Sequence, residues 1–380
     1  MIRPGFFIET LREKGIDCFA GVPDSLLKNI CAYITDHFDA AHNIIAANEG
    51  AAIGLAAGHY LATGRPACVY MQNSGEGNII NPLTSLTAPE VYDIPVLLLI
   101  GWRGRPGVHD EPQHVKQGKV TLELLDVMGV KYEILSKDES EVVVQIEKAA
   151  AALARNEVFA LVVEKDTFED YHLLHTEENK FSMSREEAIQ AVAGVIGKND
   201  CIVSSTGMIS RELFEYRVAT ELGHERDFLT VGSMGHASQI ALGIALAQPE
   251  RPVWCFDGDG AVIMHMGSLA IVAEKSPQNY IHVVFNNGAH DSVGGQPTVG
   301  LKMDLPAVAK AVGYKAVYRV DNKADLVIIL NNLVILSEAK NLPGPVFLEI
   351  RVKKGHRKEL CRPTTTPIQN KEALMQFLKK

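Results

Sequence analysis

The chain has 380 residues, 47% of them apolar and 22% charged, and a formal net charge of −9. At roughly 150 residues per domain this length suggests two α/β-sized domains, large enough to bury cores without disulfide or metal staples. The acidic balance excludes the usual basic nucleic-acid binder and leaves room for a small anionic substrate held by local cations.

The first residues carry Arg3, Glu9, Arg12, Glu13 and Lys14 and lack the apolar core of a secretory signal. The longest uncharged apolar stretch, Ile94 to Trp102, is far short of the roughly 20 residues that a membrane helix needs. No membrane partner is expected, and the expected location is the cytoplasm. Cys18, Cys31, Cys68, Cys201, Cys255 and Cys361 form no CxxC pair, and several sit in apolar runs, so they read as reduced, buried thiols.

Short β-branched runs come first: Ile44-Ile45, Cys68 to Met71, Val96 to Ile100 and Leu161 to Val163. They alternate with amphipathic or Ala-rich helical stretches, which predicts a parallel α/β domain over 1–166. Residues 167–183 are polar and lack strong periodicity, and are read as an interdomain linker. Ser184, followed by Glu186 and Glu187, then suits a helix N-cap and acidic first turn. Strands at Cys201 to Ser204, Val253 to Phe256, Ile281 to Phe285 and Val346 to Ile350 predict a second α/β domain over 184–380. Both halves repeat one order. A small-residue helix (Glu49 to Thr63; His236 to Ala247) precedes Arg-Pro, an apolar strand and a turn of glycine and acid (Asn73 to Gly77; Asp257 to Gly260). That order suggests two domains of the same kind.

Gly258-Asp259-Gly260 closes one apolar strand and Asn286-Asn287 the next, with 25 residues between Gly260 and Asn286. A strand–helix–strand crossover of this length places both at the carboxyl ends of adjacent parallel strands, where α/β folds bind ligands. Glycines admit a diphosphate to the backbone, while a carboxylate and an amide oxygen suit Mg²⁺ or Ca²⁺. A nicotinamide site is disfavoured: Ala261-Val262-Ile263 follows where a third glycine is required. Asp259 would also repel a diphosphate unless a metal intervened. Glu49 opens the first small-residue helix, a position that the helix dipole alone would explain.

This combination resembles the thiamine-diphosphate-dependent enzymes, whose signature is GDG followed at this spacing by NN. The resemblance implies an α/β fold of two parallel-sheet thiamine-diphosphate-binding domains, pyrimidine-binding then diphosphate-binding, with no middle domain. It implies thiamine diphosphate and Mg²⁺ as cofactors, the metal held by the side chains of Asp259 and Asn287 and a backbone carbonyl near Ala289. Glu49 would hydrogen-bond the aminopyrimidine and start an intramolecular proton transfer. Met234 would prop the bent cofactor, the alternative being an ordinary core methionine. Asn73, Ser205, Thr206, Gly207, Gly232, Ser233, Gly258, Gly260, Ala261, His290 and Asp291 are expected at the cofactor, with Ser292 beside cofactor or substrate.

Gly21 to Lys28, Gln72 to Gly75, Gly101 to Gly104, Asp110 to His114 and Asn286 to Thr298 are similar to the phosphonopyruvate branch of this family. The resemblance runs from about Gly5 to Gly355, and sulfopyruvate decarboxylases share the outline. It implies decarboxylation of 3-phosphonopyruvate to phosphonoacetaldehyde and CO₂ in phosphonate biosynthesis, with sulfopyruvate or another 2-oxo acid as the alternative substrate. It also implies a homodimer or higher homo-oligomer with active sites at the subunit interface. Arg103, Arg105 and Gln113 would take the anionic tail of the substrate, unless the arginines merely face solvent. Asp24 and Ser25 would orient the substrate or cap a helix. His109 and His114 are the candidate proton donors. Competing classes are a non-catalytic cofactor-binding module, which would not require Glu49, and a nicotinamide oxidoreductase.

Overall fold

A computed structural model describes residues 1–174 and 180–380, in two compact units, Met1–Glu177 and Glu178–Lys380. Each unit holds one six-stranded sheet, and every strand pairing is parallel. The first sheet contains β1 (Phe19–Gly21), β2 (Asn43–Ile45), β3 (Ala67–Gln72), β4 (Val96–Gly101), β5 (Lys131–Ile134) and β6 (Phe159–Val163). The second contains β7 (Cys201–Ser204), β8 (Asp227–Leu229), β9 (Val253–Gly258), β10 (Tyr280–Asn286), β11 (Ala316–Val320) and β12 (Val346–Arg351). The strand orders are β2-β1-β3-β4-β6-β5 and β11-β12-β10-β9-β7-β8. Renumbered from its own first strand and read in reverse, the second order is the first. The two units are the same topology used twice.

Strand residues alternate between two cores, as a sheet covered by helices on both faces requires. In the first unit Phe19, Cys68, Tyr70, Leu97 and Leu99 join one apolar cluster, while Ala20, Val69, Met71, Leu98 and Ile100 join the other. The second unit divides Ile202, Trp254, Phe256 and Val283 from Val203, Cys255 and Val284 in the same way. Helix ends follow local chemistry. Glu49–Thr63 starts where the Asn48 side chain accepts from Ala51 N–H and stops at Gly64, whose φ of 71° a side chain would resist. Arg185–Val195 opens with a capping box between Ser184 and Glu187.

Three details differ from the sequence reading. Parts of 167–183 are packed rather than free: Thr167 accepts from Ile2 N–H at 2.8 Å, Phe168 is buried among core aromatics, and Met183 belongs to the second core. Residues 175–179 of that segment lie outside the described residues. Cys361 is exposed, unlike the other five cysteines. The crossover from β9 to β10 holds two helices, Asp259–Met264 and Gly267–Lys275, rather than one.

One helix contact sets the loop that follows β4. In the helix Pro112–Val127, Gly118 lies so close to Gly104 that an added Cβ would collide with the Gly104 carbonyl oxygen. Trp102 Nε1 donates to the Gly118 carbonyl at 2.8 Å. Gly118→Ala should therefore push the helix off this loop and lose about 1–3 kcal/mol of stability. Urea unfolding measures the loss, and an unchanged midpoint would contradict the packing.

Candidate active site

In an open parallel sheet, ligands gather at the carboxyl ends of strands where the order reverses. In the second unit that point lies between β7 and β9, with β10 adjacent. One pocket there is lined by Ser205 and Thr206 after β7, by Gly258, Asp259, Gly260 and Ala261 after β9, and by Asn287, Ala289, His290, Asp291 and Ser292 after β10. Met234 completes its apolar wall. Its methyl group lies 3.4 Å from where a Cβ on Gly260 would be, and His290 Cε1 lies 3.1 Å from the same point. Only glycine leaves this backbone open. Gly207, Gly232 and Ser233, also expected at the cofactor, are outside the lining.

The two asparagines have different work. Asn286 is fully buried, donating to the Gly300 carbonyl at 2.8 Å and to Glu349 Oε1 at 2.6 Å, and its oxygen accepts from Gly288 N–H. It pins the loop. Asn287 faces the pocket; its nitrogen donates to Asp291 Oδ2 at 2.7 Å and its oxygen accepts from Ala289 N–H at 3.0 Å. Of the two, Asn287 lines the pocket and Asn286 does not.

Asp259 is 2% exposed, and its side-chain partner is a hydroxyl, Thr298 Oγ1, rather than a cation. Burial pushes its carboxyl up to about 6. A buried carboxylate beside an amide oxygen and a carbonyl is the donor set of a hard divalent cation, so these residues fit Mg²⁺. The neighbouring imidazole of His290 is held neutral by burial, with its pKa down at about 4.

Sequence reasoning missed Arg185, Met208, Ile209 and Phe285, which also line the pocket. Arg185 could have been noticed. A cation in a first helical turn is misplaced with respect to the helix dipole, and here it is buried against Glu212 and Asp291.

The corresponding edge of the first unit is built differently. Asp24 and Ser25 do not cap the following helix, which begins at Lys28 with Leu27 at its N-cap. Asp24 is completely buried; Oδ2 accepts from Leu26 N–H at 2.9 Å, and Oδ1 from Gln72 Nε2 at 2.5 Å. Burial raises its carboxyl, against the pull of Gln72, Leu26 and the Arg103 charge. Arg103 grips Asp110 through Nε at 2.8 Å and Nη2 at 2.5 Å, and Ser25 Oγ through Nη1 at 2.6 Å. An incoming oxyanion would have to share or compete with Asp110 for that fork. Arg105 is likewise paired, with Glu164 at 2.8 Å.

Asn73 braces this loop instead of presenting a spare amide. Its nitrogen donates to the Arg103 carbonyl at 2.9 Å and to Thr121 at 2.8 Å, and its oxygen accepts from Arg103 N–H at 3.1 Å. His109 is exposed. His114 is buried next to Gln113 and Gln117, and burial first, then Arg103, holds its imidazole below the usual range. Gln113 Oε1 is buried without a partner among the described residues.

Glu49 is 5% exposed, with Oε2 accepting from Asn78 Nδ2 at 2.6 Å. Its carboxylate packs against Gly75, where a Cβ would collide with it. Next to Gly75, Glu76, the acid of the repeated turn, is a further buried carboxyl to which the sequence reading gave no site role. Its Oε1 lacks a partner among the described residues, and burial pushes its pKa up to about 8.

Two family models match the chain: "Thiamine pyrophosphate enzyme, N-terminal TPP binding domain" over residues 5–126 and "Thiamine pyrophosphate enzyme, C-terminal TPP binding domain" over 205–350. A phosphonopyruvate decarboxylase of Streptomyces viridochromogenes is 34% identical, covering 97% of this chain and 93% of that protein. One from Streptomyces hygroscopicus is 34% identical, covering 99% and 94%. A sulfopyruvate decarboxylase of Methanosarcina acetivorans is 28% identical, covering 97% and 95%. No helix among the described residues is long and apolar enough to cross a membrane.

The pH dependence of cation binding follows from Asp259. Its raised pKa means that the metal-free folded chain binds this proton more tightly than the unfolded chain. The resulting stabilisation is complete below the ordinary value of 3.8 and is lost as pH rises through about 6. A cation competes with the same proton. Mg²⁺ affinity, titrated calorimetrically with thiamine diphosphate present, should be flat above about pH 6 and fall up to tenfold per unit below it. Affinity independent of pH between 5 and 7 would contradict this.

Proposed function

The chain belongs to the thiamine pyrophosphate enzymes, and from that premise we propose that it decarboxylates 3-phosphonopyruvate to phosphonoacetaldehyde and CO₂. The observation that carries the reading is the meeting of Asp259 and Asn287 at adjacent strand ends around a glycine-lined pocket. Full-length similarity to two phosphonopyruvate decarboxylases supports the choice of substrate.

Thiamine diphosphate, when bound, would supply a carbon nucleophile toward the 2-oxo group and a ring that accepts the electron pair left by CO₂. The second unit would act as the diphosphate-binding domain. Asp259, Asn287 and the Ala289 carbonyl would hold Mg²⁺, while Gly258, Gly260, Ala261, Ser205 and Thr206 would offer backbone and hydroxyl donors to the diphosphate. Met234 would support the bend of the cofactor. The first unit would act as the pyrimidine-binding domain, with Glu49 holding a proton at the aminopyrimidine ring nitrogen. Its burial suits that task, because a carboxylate shielded from water interacts more strongly with the group that it polarises. In the Arg103 loop, Ser25, Gln113 and His114 are the proposed substrate contacts, and His114, enclosed and neutral, is a better proton relay than the exposed His109.

This reading requires Glu49 of a first unit and the Asp259 loop of a second unit to serve one cofactor. A homodimer or higher homo-oligomer would supply both at its subunit interface. The enzyme would work in the cytoplasm, whose reducing conditions suit six unpaired cysteines.

Similarity to a sulfopyruvate decarboxylase favours a second reading, with a sulfonate in place of the phosphonate. Steady-state assays for aldehyde and CO₂ separate the two: kcat/KM should be higher for phosphonopyruvate, and a higher value for sulfopyruvate would reverse the assignment. Glu49→Gln should lower turnover about 100- to 10,000-fold, the range typical of a lost acid–base group. Unaltered turnover would overturn the role given to Glu49.

A further inference from the structure

Asp291 Oδ2 receives three donors from distant parts of the second unit. They are Arg185 Nη1 at 2.9 Å, Asn287 Nδ2 at 2.7 Å and Gly355 N–H at 3.0 Å. Arg185, only 4% exposed, is itself gripped by Glu212 through Nε and Nη2, both at 2.9 Å. Guanidinium and backbone N–H groups can only donate, so the oxygen that they share is an acceptor. The Asn287 atom facing it must then be the amide nitrogen, since two acceptor oxygens at that separation would repel.

This matters because a side-chain amide has no strong intrinsic preference between its two flipped orientations. A divalent cation accepts only the oxygen. We propose that Asp291 is a positioning residue that, together with the Ala289 N–H on the amide oxygen at 3.0 Å, selects the orientation in which Asn287 offers its oxygen to the metal, with Arg185 and Glu212 holding Asp291 for that purpose. The inference rests on the reading of Asp259 and Asn287 as a Mg²⁺ site. It changes the role of Asp291 from a group that touches the cofactor to one that acts through Asn287. It also gives the buried Arg185–Glu212 pair a function beyond the fold. Gly355 joins the arrangement by donating to the same oxygen, so the chain after β12 is seated on the group that orients the ligand.

The test is Mn²⁺ binding to the full-length protein with saturating thiamine diphosphate, read from the electron paramagnetic resonance of free Mn²⁺. Asp291→Ala removes the acceptor that Arg185, Gly355 and Asn287 share. It should weaken Mn²⁺ binding about 10- to 100-fold, the usual effect of losing a partner behind a metal ligand. Asp291→Asn is nearly isosteric, and the Arg185 and Gly355 donors hold its oxygen, not its nitrogen, at the shared point. It should keep Mn²⁺ affinity within about threefold of wild type. Equal Mn²⁺ affinity in wild type and Asp291→Ala would overturn the positioning role while leaving the metal site intact. An Asp291→Asn variant as weak as Asp291→Ala would overturn it too, by showing that the charge matters and the acceptor does not. Wild-type protein that binds no Mn²⁺ would overturn both the site and the inference.

Discussion

The carboxylate of Asp259 is the constraint around which the second unit is organised. It is buried at the end of β9, in a crevice whose glycines leave backbone exposed to an anionic ligand, and its own side-chain partner is a neutral hydroxyl. A buried negative charge facing a diphosphate is unfavourable on both counts, desolvation and repulsion. A divalent cation held by Asp259 and Asn287 would resolve both, by neutralising the carboxylate next to the diphosphate. The features around it then fall into place: an amide oxygen from the adjacent strand, a loop pinned by Asn286, and an ion pair behind Asn287.

The same strand order serves a different purpose in the first unit. There the loops after β1, β3 and β4 are tied together by the Gln72–Asp24–Ser25–Arg103–Asp110 network. Burial makes such a network stiff, because each member loses a partner if another moves. The close passage of Gly118 against Gly104 holds it from behind. One topology thus yields a cation-seeking pocket in one unit and a braced polar wall with a buried glutamate in the other. The difference lies in the loops after equivalent strands, as expected where function is grafted onto a common scaffold.

Much of this was legible in the sequence where the signal is local. Glu49–Thr63 has both its ends written in Asn48 and Gly64, and the GDG and NN runs mark adjacent strand ends by themselves. The short strands β1, β5 and β8 were not read: three or four residues carry little periodicity, and the equally short β2 and β7 stood out only by their β-branched runs. Pairing across long separations was invisible. Arg185 meets Asp291 106 residues away, and neither residue announces the other. The Arg103–Asp110 pair was missed for another reason: the two lie only seven residues apart, but the loop that closes the pair also depends on the packing of Gly104 against Gly118.

The central claim is that a cation must bring Asp259 and the diphosphate together. Its most direct measurement is calorimetric titration of thiamine diphosphate into the purified protein, with Mg²⁺ and again after chelation of all divalent ions. Binding should be tight with Mg²⁺ and at least about tenfold weaker without it, because the ion would offset the repulsion between carboxylate and diphosphate. Equal affinity in the two titrations would contradict it.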